Sequence, residues 1–116
     1  DNLVTREETN DTKPKVAIDE KGRVIISFAN HKPVVISKKK SLRGALIYTL
    51  GDSWGVPRSR DVVLEKIKEY TSKEPSGKQI DTAMKEINRV LKKKKLPRLE
   101  LEDERPDNTW ILKVKE

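Results

Sequence analysis

Apolar residues at 80, 84, 87 and 91 (Ile, Met, Ile, Leu) follow the i, i+4, i+7, i+11 spacing of a single helical stripe. At about 100° per residue, Lys78, Thr82, Lys85, Arg89 and Lys93 fall on the opposite side. This pattern predicts an amphipathic helix over about 77–94, stopped by Pro97. One face should sit on a core, and the other offers donors and positive charge. Alternation then takes over: Arg98-Leu99-Glu100-Leu101-Glu102 and Trp110-Ile111-Leu112-Lys113-Val114 flank a turn carrying Pro106-Asp107-Asn108, the strongest hairpin pattern in the chain.

Upstream, residues 15–19 and 23–28 are β-rich runs around Glu20-Lys21-Gly22, which predicts another hairpin. A turn at 29–32 leads to a short strand, Pro33-Val34-Val35-Ile36. Ser37 then caps an expected first helix over about 38–50, with Leu42, Ala45, Leu46 and Thr49 on one face and Gly44 allowing close packing. Residues 51–57 are a break. Ser59 is the expected N-cap of a second helix over about 60–70, facing inward through Val63, Leu64, Ile67 and Tyr70. Residues 1–14 are polar and aperiodic and read as a disordered arm or linker, leaving one domain at 15–116. The order is strands, three helices and a terminal hairpin, an α+β arrangement without internal repeats.

Composition sharpens this picture. Aromatics are 4% of the chain, so the core must be small and aliphatic, anchored by Phe28, Tyr48, Trp54, Tyr70 and Trp110. A charged fraction of 39% leaves no apolar run long enough to span a membrane. Without cysteine there is no disulfide or thiolate metal site, in keeping with a cytoplasmic protein. An opening Asp in place of Met is compatible with a piece of a longer parent chain. The net charge is +7, and residues 1–13 hold Asp1, Glu7, Glu8 and Asp11 against Arg6 and Lys13. The folded part is therefore more basic than the whole, which favours phosphate backbones as partners, solubility being the plainer use of the same charge.

Three helices closed by a hairpin make a winged helix-turn-helix. The N-terminal antiparallel sheet narrows the likeness: the chain resembles the OmpR/PhoB-type output domain of bacterial response regulators over about 15–115. Lys32-Pro33-Val34-Val35-Ile36-Ser37 stands where that family has its last short strand and a capping Ser or Thr. Val56-Pro57-Arg58-Ser59-Arg60-Asp61 resembles its approach to the second helix. Ile80-Asp81, Met84, Ile87 and Leu91 match its recognition helix, the lysines at 92–94 that helix's basic end, and Trp110 the wing aromatic. The chain departs from the family at Glu86 and Asn88, where arginines are usual, and at 105–109, where a Gly-rich wing turn is usual. It carries no phosphoacceptor domain.

On the outer helix face, Lys78, Gln79, Thr82 and Lys85 are candidates for base edges: lysine donates to guanine, glutamine pairs with adenine, and a threonine methyl touches thymine. Arg89, Lys92 and Lys93 are candidate phosphate contacts or partners of the helix C-terminal dipole. The resemblance adds Arg58 and Arg60 as phosphate contacts, and Arg105 and Asn108 at the wing. Each has a plainer reading as an ordinary solvated side chain, and Arg105 as an ion-pair partner of Asp103 or Glu104. His31 lies alone in a turn, and the carboxylates at 100, 102, 103, 104 and 107 protect an edge strand rather than converge on a metal. No cofactor, metal or catalytic site is expected.

The leading expectation is double-stranded DNA binding by a transcription regulator at the bacterial or archaeal nucleoid. The helix at 77–94 would enter the major groove and the hairpin at 99–114 would lie on the minor groove or backbone. A homodimer on repeated half-sites would raise specificity. The alternative is a winged-helix protein-interaction module of a larger NTPase, sensor or defence protein, which Glu86 and the acidic wing favour. A third reading, an accessory domain of a recombinase or nuclease, needs catalytic residues outside this chain.

Overall fold

Three strands, a helix, a two-residue strand, two more helices and a hairpin make up the described part of the chain. The computed structural model describes residues 14–104 and 107–115; the expected arm, apart from Pro14, lies outside these residues, as do Arg105 and Pro106. The fold is α+β, with three helices and two three-stranded antiparallel sheets among the described residues.

The first sheet has the order β1 (Lys15–Ile18), β2 (Arg23–Ser27), β3 (Val34–Lys38). Its pleat sends Val24, Ile26, Val34 and Ile36 into the core. The β1–β2 turn is built by Asp19, whose carboxylate accepts hydrogen bonds from the backbone N–H of Arg23 and Lys21 (2.8 and 2.9 Å) and from Arg23 Nε (2.7 Å). The Arg23 backbone donor, chiefly, holds the Asp19 carboxyl below its ordinary range. This contribution to stability is present at neutral pH and is lost as pH falls through the depressed value.

The first helix begins later than its pattern suggests. β3 runs on through Ser37 and Lys38, which pair with Val24 and Arg23, so Ser37 belongs to a strand rather than capping a helix. Ser41 is the cap instead: its hydroxyl accepts from Gly44 N–H (3.1 Å), and α1 spans Leu42–Leu50. The lysine run at 38–40 therefore forms a strand end and a turn, with Lys39 Nζ lying over the rings of Tyr48 and Tyr70 at 4.8 and 4.4 Å. Gly44 lies against the end of β3, and a Cβ there would collide with the Lys38 carbonyl. α1 is buried on almost every side, as suits a short apolar helix packed against the first sheet and both other helices.

After α1, Trp54 folds into the core and Gly55 N–H donates to the Leu112 carbonyl (2.8 Å). Arg58 and Ser59, expected as a helix approach, form β4 and pair with Trp110 and Thr109. Ser59 makes no capping hydrogen bond. The first N–H of α2 (Arg60–Thr71), that of Arg60, donates to the Asn108 carbonyl (2.9 Å), so tertiary pairing replaces the expected side-chain cap.

α3 (Gly77–Lys93) buries Ile80, Met84, Ile87 and Leu91, the expected stripe, and Ala83 beside it. β5 (Arg98–Glu104) and β6 (Thr109–Lys115) form the hairpin, and β4 adds to it in the order β4-β6-β5. The face of β5 carrying Leu99 and Leu101 packs with α3. Asn88 locks the two together: its amide nitrogen donates to the Leu99 carbonyl (2.9 Å) and its oxygen accepts from Leu99 N–H (2.8 Å). A side chain thus supplies the paired bonds that a neighbouring strand would supply.

Asn88→Ala leaves both Leu99 backbone groups without partners beside the core. It is expected to destabilise the fold by about 2 kcal/mol, read by thermal or urea unfolding, with Asn88→Asp failing to restore it because the amide donor is gone.

Candidate nucleic-acid interface

The outer face of α3 is set by its two ends. At the N-terminus, Ser76 Oγ accepts from Gln79 N–H (3.2 Å) while Gln79 Oε1 accepts from Ser76 N–H (2.9 Å), a reciprocal capping box. Gln79 is exposed as expected, but its oxygen is engaged at the cap, and a bidentate contact with adenine needs that oxygen together with the amide nitrogen. The Ser-x-x-Gln spacing signalled this role in the sequence.

Lys78, Thr82, Lys85, Arg89, Lys92 and Lys93 are all helical and exposed. Grooves flank this face on both sides. Lys78, Gln79 and Thr82 line a groove of about 670 Å³ between α3 and the start of α1, next to Leu42 and Arg43. Lys85 lines a second groove, about 500 Å³, between α3 and β5, where Arg60, Asp81, Arg98 and Asp103 also meet and Trp110 contributes an apolar wall. Asp81 is exposed on the same helix between Lys78 and Lys85.

Arg58 and Arg60, also expected on phosphate, are turned partly inward. Arg58 Nη1 donates to Asp52 Oδ1 (3.2 Å) and Ser53 Oγ, so it braces the loop after α1. The guanidinium is thus shared with its own chain through Nη1. Arg60 lies over the Trp110 ring at 5.7 Å, which fixes it on the wall of the α3–β5 groove. Asn108 is exposed, at φ 52°, in the tight turn before β6. Arg105 lies outside the described residues.

Carboxylates that would repel phosphate are largely neutralised. Glu86 pairs with Arg43 of α1 (2.9 Å), Glu102 with Lys113 (2.9 Å) and Glu100 with Lys115 (3.1 Å). The hydrogen bond from Lys113 to Glu102 raises the Lys113 pKa, so that pair contributes below the ordinary lysine range and is lost as pH rises through the raised value. These partly exposed pairs matter less for stability than for surface potential. Glu104 and Asp107 leave the hairpin tip acidic.

His31 is exposed in the β2–β3 turn. Among the described residues no group of three His, Asp or Glu is placed to hold a metal, and no helix is long and apolar enough to cross a membrane. No family model matches the chain, and no curated protein or solved structure matches it significantly.

Gln79→Ala is expected to cost about 1 kcal/mol in an unfolding titration by opening the capping box, and Gln79→Glu to recover most of that loss. A stability-neutral Gln79→Ala would show that the return bond from Ser76 N–H to the Gln79 side chain contributes nothing.

Proposed function

We propose that the chain is a winged helix-turn-helix domain of OmpR/PhoB-like type that binds double-stranded DNA and regulates transcription. The observation that carries the reading is the division of α3: its apolar stripe is buried, its opposite face stays open and carries Lys78, Thr82, Lys85 and Arg89, and the β5–β6 hairpin is fixed beside it. In this reading α3 enters the major groove, Lys78, Thr82 and Lys85 reach base edges, and Arg89, Lys92 and Lys93 meet backbone phosphates. The hairpin, with Asn108 at its turn, lies along the minor groove or backbone, and Arg60 faces the duplex from the groove wall. Two copies on repeated half-sites would add specificity by linked binding. The domain works without catalysis or cofactor, in the cytoplasm at the nucleoid, within a longer regulator.

A protein-interaction module of a larger NTPase, sensor or defence protein is the second reading. Asp81 on the α3 face and the acidic tip at Glu104 and Asp107 favour it, because like charge opposes phosphate.

Titration with random-sequence duplex at two salt concentrations separates the two. DNA binding gives affinity that falls steeply with salt, by a log–log slope of about −0.9 per phosphate neutralised. Lys78→Ala or Lys85→Ala then lowers preference for a selected site, whereas Lys93→Ala weakens all sequences about equally. Absent or salt-independent binding favours the protein partner.

A further inference from the structure

Positive charge gathers where α3 ends. Arg89 and Lys92 from α3, Lys95 from the turn and Arg98 from β5 line a recess of about 460 Å³, with Leu96 and Asn88 completing its wall. None of these four cations has an ion pair among the described residues, whereas the first half of the α3 face sets Asp81 between Lys78 and Lys85. Arg98 adjoins Leu99, whose backbone Asn88 holds on both sides, so the two elements that supply the cations are fixed relative to each other.

The turn itself points the same way. α3 closes with Lys95 N–H donating to the Lys92 carbonyl and Leu96 N–H to the Leu91 carbonyl (both 3.0 Å). This places Lys95 at φ 59°, the left-handed position that glycine fills most easily. Dipole complementation accounts for cations in the last helical turn, but it falls off within that turn and does not reach Arg98 on β5.

We propose that this recess grips a backbone phosphate of the bound duplex, so that grip and base reading are divided along α3. The proposal rests on the DNA-binding reading above. From Lys78 to Arg89 a helix rises about 16 Å, more than the roughly 12 Å width of the major groove. A helix that crosses the groove with its first turns on the bases therefore carries its last turn out to the flanking strand. Two guanidinium groups offer the forked donors that match a phosphate, and two ammonium groups add charge.

The test uses the full chain, a duplex carrying the best selected site, and a scrambled duplex, each titrated at two salt concentrations. Lys95→Gly removes a cation and supplies the residue the turn favours, so it should unfold no earlier than the unaltered protein. Lys95→Gly and Arg98→Gln are each expected to weaken both duplexes by about three- to tenfold and to lower the salt slope by about one, with the ratio between duplexes unchanged. Lys21→Gln, in the β1–β2 turn, makes the same change of net charge away from the recess and should have a smaller effect. If Lys95→Gly and Arg98→Gln lose no more than Lys21→Gln, or change the ratio rather than the affinity, the recess is not a phosphate grip while DNA binding stands. If the unaltered protein shows no salt-dependent binding to either duplex, both readings fall.

Discussion

The amide of Asn88 holds α3 and the β5–β6 hairpin in one frame. By engaging both backbone groups of Leu99, it makes the first part of β5 a continuation of α3's surroundings. Around that junction Ile87, Leu91, Leu99 and Leu112 are almost completely buried, so the polar bridge sits against a dry aliphatic core. A hydrogen bond at the margin of such a core specifies more than it stabilises, because any shift of the strand along the helix leaves backbone groups unmatched. The consequence reaches outward. The groove between α3 and β5, the position of Arg98 beside the α3 C-terminus, and the angle of the hairpin all follow from one register.

Register also explains what the sequence made legible. The α3 stripe and the alternation of β5 and β6 are local periodicities, and the bounds of all three elements fall within a residue or two of them, although Trp110, Ile111 and Leu112 are buried in succession where alternation predicts one of them to face out. β4 could not be read that way. Two residues beside a proline carry no period, and they become a strand because Trp110 and Thr109 lie alongside. Long-range pairing altered both expected caps. Ser37 and Ser59 carry good capping side chains, but each is drawn into a ladder: the first helix starts later, at Ser41, while the second starts at Arg60 as expected, with Ser59 in the cap position but a backbone bond from Arg60 in place of its side-chain bond. Ser, Asp and Asn suit both caps and turns, so composition alone does not choose between neighbouring serines. The candidate site was legible in outline for a similar reason. Exposure on α3 follows from its period, whereas the ion pair of Glu86 with Arg43 and the binding of Arg58 to its own loop depend on partners far away or across a turn.

Charge totals therefore say less than charge placement. The hairpin reads as acidic in sequence, but diagonal pairs to Lys113 and Lys115 remove much of that character from its outer face and leave it at the tip. The two lysine runs have the same composition and different fates. Lys39 is drawn over two tyrosine rings beside the first sheet, while Lys92 and Lys95 meet two arginines around a recess. Only the second arrangement concentrates a field, because its cations come from three successive elements and converge instead of spreading over a face.

Backbone conformation adds an independent line of argument at that recess. Four non-glycine described residues have positive φ: Asn30, Ser72, Lys95 and Asn108. The two asparagines are turn residues whose side chains tolerate the left-handed region. Ser72, at the end of α2, and Lys95, at the end of α3, stand where glycine is the common solution. Of the four, only Lys95 brings a long cationic side chain to a cavity that already has three. Local preference and global arrangement disagree there, and such disagreement is retained where the side chain does something the favoured residue cannot. Glycine would close α3 with less strain but would leave the recess with one cation fewer. The conflict separates stability from binding at a single position, which is the separation that a phosphate grip requires.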